Sequence, residues 1–114
     1  MRNIDLVVIG GGSAGMAAGI QARKEGIKVG LIRPITLWPF PTDIIRETSK
    51  LDNVKAFLDV ELSAGQMIED VELAVSGRKP VHFYGRMGGN LPTQKEILDK
   101  IIAIHNNPNE GGRF

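Results

Sequence analysis

Leu6-Val7-Val8-Ile9-Gly10-Gly11-Gly12-Ser13-Ala14-Gly15 is the stretch that decides the fold. Four apolar residues in a row are too few for a helix, and three glycines stop them. That combination predicts a buried strand of a parallel sheet over Ile4–Ile9. A helix is expected from about Ala14 to Lys24. Its Gly15, Ala18, Gly19 and Ala22 recur at helical spacing, and small residues in such a stripe let a helix lie close on a sheet. Gly26 then supplies the left-handed residue that commonly closes a helix.

The same unit repeats outward along the chain. Lys28–Ile32 reads as the second strand, stopped by Pro34 and followed by the rigid loop Trp38-Pro39-Phe40-Pro41. A second helix follows, with Ile44, Thr48 and Leu51 expected on one face. Val54–Leu62 reads as the third strand, with Ala56, Leu58 and Val60 alternating against Lys55, Phe57, Asp59 and Glu61. Ser63-Ala64-Gly65-Gln66 has the form of a capping box opening a third helix, with Met67, Val71 and Ala74 inward and Gly77 at its end. Pro80–Tyr84 reads as the fourth strand, proline being tolerated at a strand's first residue. After the loop Gly85–Asn90, Thr93-Gln94-Lys95-Glu96 has the form of a second capping box. It opens a helix with Ile97, Ile101 and Ile104 on its core face. Strands alternating with helices predict a three-layer α/β/α, doubly wound domain of about four parallel strands. Right-handed crossovers leave two orders, 2-1-3-4, which is favoured, and 3-2-1-4. The domain is expected over residues 1–104, with 105–114, polar and rich in turn formers, as a flexible tail.

Composition narrows the function classes. The 114 residues contain no cysteine, which excludes disulfides, thiolate metal sites and a cysteine nucleophile. With His82 and His105 as the two histidines, no metal site is expected. The net charge is +1, and neither half of the chain is strongly basic, so nucleic acid is not an expected partner. No apolar run approaches the ~20 residues of a membrane span, and the start does not read as a signal peptide, so no membrane is expected and the cytoplasm is the expected location.

Gly10, Gly12 and Gly15 satisfy G-x-G-x-x-G between a strand and a helix, the context that a dinucleotide fingerprint requires. In that motif the first glycine makes the tight turn, the second lets the backbone approach a pyrophosphate, and the third packs helix on strand. Gly10, Gly12, Ser13, Ala14 and Gly15 are therefore the candidate cofactor-binding residues, for FAD or NAD(P). The motif also needs an acid about 20 residues on, for a ribose hydroxyl. Arg33 stands there, so binding is expected to be weak, and no cofactor is expected to be retained. The other reading of the loop is a turn that only glycine permits, with a close-packed helix.

Two resemblances accompany these motifs. Residues 4–22, from the strand through Gly10–Gly15 to Ala18, resemble the FAD-binding start of flavoprotein disulfide reductases. From about Arg23 onward the chain resembles the α subunit of 2-oxoacid:ferredoxin oxidoreductases. The segments that carry this are Gly26–Pro41, Val60–Val71, Phe83–Gly89 and Pro92-Thr93, together covering residues 23–102. The second resemblance implies a C-terminal domain with a transketolase C-terminal type of fold. It also implies that thiamine diphosphate, iron–sulfur clusters and most catalytic groups belong to other domains or subunits. Read together, the two imply a chimera with a seam near residues 20–28, engineered or natural. Its expected role is a stand-alone, engineered or truncated domain without turnover of its own and with no catalytic residue. The alternative is a nucleotide-binding oxidoreductase fragment.

Three further readings concern single residues. In a 2-1-3-4 sheet the switch point sets Gly10–Gly15 beside Glu61, Ser63 and Gln66. Glu61 is read either as a ribose- or proton-handling acid or as a solvent-facing strand end. Trp38, Phe40 and Met87 lie in loops at the same end, either packed internally or meeting other subunits of a parent complex or a second copy. Arg86 is read as an anion ligand or a solvated charge, and His82 as structural.

Overall fold

The computed structural model describes residues 4–33, 41–61, 67–85 and 92–109. Eight elements alternate: β1 (Leu6–Gly10), α1 (Gly12–Lys24), β2 (Val29–Ile32), α2 (Thr42–Ser49), β3 (Ala56–Glu61), α3 (Ile68–Val75), β4 (Val81–Gly85) and α4 (Gln94–Asn106). The strands form one parallel sheet in the order β2-β1-β3-β4. This is the expected architecture and the favoured order.

The handedness rule explains the layers. The step from β1 to β2 runs one way across the sheet, and the steps to β3 and β4 run the other way. Right-handed crossovers then place α1 on one face and α2 with α3 on the opposite face. One core joins Val7, Ile9 and Phe57 to Ile45 of α2 and to Ile68, Val71 and Val75 of α3. The other joins Leu6, Val8, Leu58 and Val60 to Ala18 and Ala22 of α1 and to Ile97, Ile101 and Ile104 of α4. Gly15, Ala18, Gly19 and Ala22 are the buried residues of α1, as the small-residue stripe predicts. A Cβ at Gly19 would come 2.9 Å from Leu31 Cδ2.

Three packing expectations need correction. In α2 the buried residues are Ile45, Thr48 and Ser49, while Ile44 is exposed and Leu51 lies beyond the helix end. Ser49 tolerates burial because its hydroxyl donates to the Arg46 carbonyl at 2.6 Å. In β3 every residue is buried, so the alternation does not separate core from solvent. The strand is central and helices cover both its faces. Helix α3 starts at Ile68, with Met67 at its N-cap and no side-chain cap, and Ser63–Gln66 lie outside the described residues. At its end Ser76 precedes Gly77 in the left-handed region, with φ 53° and 74°. The second capping box forms on its serine/threonine side: Thr93 Oγ1 accepts from the Glu96 amide at 3.1 Å.

Helix α4 continues to Asn106, and the Pro108 carbonyl lies 2.7 Å from His82 Nε2. His82 is itself 1% exposed. Burial pushes its pKa below the ordinary histidine value, with the bond to Pro108 opposing and Lys100 adding to the shift.

Candidate functional site

The candidate site lies at the carboxyl ends of the strands, where β1 turns away from β3, the usual ligand position in open α/β sheets. Gly10, Gly11 and Gly12 all have positive φ, at 84°, 84° and 56°. Glycine adopts such angles without the steric penalty that other residues meet there. The strand thereby turns into α1 within one residue, Gly11 serving as N-cap. The Gly15 amide donates to the Gly11 carbonyl at 2.9 Å. No side chain caps this helix and its first turn holds no acid.

The three motif glycines differ in their surroundings. A Cβ at Gly10 would lie 2.5 Å from the Val60 carbonyl oxygen, and one at Gly15 would lie 2.8 Å from the Gly10 carbonyl oxygen. Both positions are closed by backbone. At Gly12 no described residue lies within 4 Å of such a Cβ, so among the described residues this position is open. Ser13 is exposed and Ala14 half-buried beside it. The loop thus has a turn glycine, an open glycine and a packing glycine in the order the motif requires.

The acid is another matter. Arg33, just past β2, is exposed, and no carboxylate occupies its place. Glu61 is 2% exposed, not a solvent-facing strand end. It follows Val60, the register partner of Gly10, but alternation along β3 places it with Phe57 on the α2–α3 face. Gly12–Gly15 open α1 on the opposite face. Glu61 Oε1 accepts from the Met67 amide at 2.7 Å, at the start of α3, where a helix dipole favours a carboxylate. Its Oε2 is buried and has no hydrogen-bond partner among the described residues. Glu61 therefore seats α3 and, among the described residues, is not the carboxylate that would accept from a dinucleotide ribose beside Gly10–Gly15.

Two groups escaped the sequence reading. Asp59 is fully buried on the same face as Glu61, and the acid-x-acid spacing of a central strand was the available signal. Tyr84 Oη donates to Glu96 Oε2, joining the end of β4 to the first turn of α4. Nothing in the spacing of Tyr84 and Glu96 predicts that bond. Ser63, Gln66, Trp38, Phe40, Arg86 and Met87 lie outside the described residues. Among the described residues no cluster of three or more His, Asp or Glu is placed to hold a metal ion, and no helix is long and apolar enough to cross a membrane.

Comparison with known proteins addresses the lineage. The model of the pyruvate:ferredoxin oxidoreductase core domain II matches residues 5–97. The match takes in the glycine loop and spans the seam expected near residues 20–28. The chain is 54% identical over 83 residues, 73% of its length, to the ketoisovalerate oxidoreductase subunit VorB of Methanothermobacter thermautotrophicus, covering 23% of that protein. It is 34% identical over 103 residues, 90% of its length, to the 2-oxoglutarate synthase subunit KorA of Methanothermobacter marburgensis, covering 27% of it. It is 31% identical over 100 residues, 82% of its length, to the pyruvate synthase subunit PorA of Pyrococcus abyssi, covering 25% of it. The chain thus spans about a quarter of the length of the curated relatives it matches.

Proposed function

Because this chain belongs to the family of the pyruvate:ferredoxin oxidoreductase core domain II, we propose that it acts as one α/β domain of a 2-oxoacid:ferredoxin oxidoreductase, without turnover of its own. The observation that carries this reading is the family match itself, which covers the whole sheet and every helix up to the first turn of α4. The absence of cysteine from the 114 residues supports it, since iron–sulfur clusters need thiolate ligands that other parts of such an enzyme must supply. The identity to a ketoisovalerate oxidoreductase subunit favours a branched-chain 2-oxoacid as the substrate of the assembly.

A single lineage, rather than a chimera, fits the family match on both sides of residues 20–28. In this reading the glycine loop is a turn that lets α1 pack on β1 and β2. Its closed Gly10 and Gly15 support that role, and the displaced Glu61 weighs against a dinucleotide. A phosphate-bearing ligand, if offered, would meet the amides of Gly12–Gly15 only weakly. Three measurements on the purified chain test the proposal. With 2-ketoisovalerate, thiamine diphosphate, coenzyme A and ferredoxin, no oxidation above buffer background is expected. Absorption between 350 and 500 nm should show no flavin, and calorimetry should show no tight binding of FAD, NAD or NADP. Turnover by this chain alone, or a copurified flavin, overturns the reading.

A further inference from the structure

The four helices differ in how they carry charge. Around α2, Arg46 pairs with Asp43 and Lys50 with Glu47, and on α4 Lys95 pairs with Asp99, so both surfaces mix the two signs. The other two helices each hold one sign. The charged residues of α1 are Arg23 and Lys24, in its last turn, and no acid lies within it. The charged residues of α3 are Glu69, Asp70 and Glu72, and no base lies within it. These signs suit the two helix dipoles, but a dipole does not account for the apolar residues beside them. Ile20 on α1 is 49% exposed and Leu73 on α3 is 77% exposed.

Both helices use the same spacing. Ile20 and Lys24 are four residues apart, as are Glu69 and Leu73, so each pair shares one strip of its helix. All four residues are exposed, away from the buried Gly15, Ala18, Gly19 and Ala22 of α1 and the buried Val71, Ala74 and Val75 of α3. The order is reversed between the strips. On α1 the apolar residue precedes the charge, and on α3 the charge precedes the apolar residue. Laid antiparallel, the two strips set Ile20 on Leu73 and Lys24 on Glu69 together. Because α1 and α3 cover opposite faces of the sheet, the two strips cannot meet within one molecule.

We propose that a second copy of this chain docks here, the α1 strip of one copy lying antiparallel on the α3 strip of the next. Two exposed apolar side chains leave water together, and a lysine meets a glutamate. The two surfaces differ, so the contact is head-to-tail and builds a reversible stack rather than a closed pair. It draws on neither the glycine loop nor the 2-oxoacid chemistry, and so stands apart from the family reading above. A concentration series of the isotope-labelled full chain at low salt, read by NMR and sedimentation velocity, tests it. Two helix faces bury less than the roughly 1,200 Å2 of a stable complex, so the α1 and α3 amides should shift together with a midpoint on the order of 1 mM. Lys24→Glu and Glu69→Lys each set like charges opposite one another, and each alone should weaken association at least about fivefold. An equimolar mixture of these two variants holds one matched contact, Lys24 of the Glu69→Lys chain on Glu69 of the Lys24→Glu chain. It should form a 1:1 pair that grows no further. The double variant, with the charges exchanged, should stack again. Ile20→Ser should weaken stacking without touching a charge, and its circular dichroism should match that of the unaltered chain. Monomeric sedimentation throughout the series, shifts confined to other surfaces, single charge variants that stack like the unaltered chain, or a mixture that stays monomeric overturns the proposal.

Discussion

At Gly10 the backbone of β3 occupies the space where a side chain would stand. An added Cβ would meet the backbone oxygen of Val60 at 2.5 Å, which unlike the nearby Met67 methyl cannot swing aside, and the φ of 84° adds left-handed strain. Gly10→Ala should cost about 2–4 kcal/mol, overpacking and backbone strain together. Gly12 shares the positive φ but has open space, so Gly12→Ala should cost only about 1–2 kcal/mol. Urea unfolding of the two variants separates them, and equal losses would mean that conformation alone governs this loop. Ser76 makes the converse case, a residue with a Cβ at φ 53°. Ser76→Gly should raise the stability by up to about 1 kcal/mol, seen as a higher melting temperature. At this scale the sequence is legible where chemistry is local. The glycines announce their turn, but Glu61 does not announce its direction, because the face it takes depends on β3 lying between two helical layers.

Among the elements, legibility follows the spacing of apolar residues. Ile97, Ile101 and Ile104 recur at i, i+4 and i+7, and the adjoining Leu98 and Ile102 flank the same core, so the inward face of α4 reads directly from the sequence. In α2 the adjacent Ile44 and Ile45 offer two faces about 100° apart. The choice of Ile45 rests on contacts with α3 and on the Ser49 hydroxyl finding its own backbone acceptor, which no periodicity reveals. His82 is an element-scale link, tying β4 to the segment after α4. Its pKa is lowered in the folded chain, mainly by burial. The unfolded chain therefore takes up a proton first, near pH 6.5, while the folded chain resists it. Stability should be complete above that pH and should fall as the pH drops through the window just below it. A one-proton difference gives a slope of at most about 1.4 kcal/mol per pH unit. Denaturant titrations from pH 7.5 to 5 check this against His82→Gln, which keeps a donor for Pro108 but does not titrate. An identical pH slope in the variant would assign the effect to other groups. Thr93→Ala, removing the α4 cap, should cost about 1 kcal/mol at every pH.

Across the whole molecule, the alternation of elements and the handedness rule narrowed the strand order to two, because neither needs atomic detail, and the favoured one is the order found. The lineage was less legible: a glycine motif shared by unrelated α/β proteins suggested a second parent, whereas the family match runs from residue 5. Local motif chemistry constrains a turn more tightly than it constrains ancestry. The sheet order has a further consequence, for the time at which the chain acquires structure. Leu6 pairs with Ala56, and all of α1, β2 and α2 lie between them in the sequence. As the chain leaves the ribosome, β1 can pair only with the edge strand β2 until β3 has emerged, and both faces of β1 remain short of their cores. A nascent chain ending before Ala56 should therefore stay protease-sensitive, and compaction should set in only once β3 is clear of the exit tunnel.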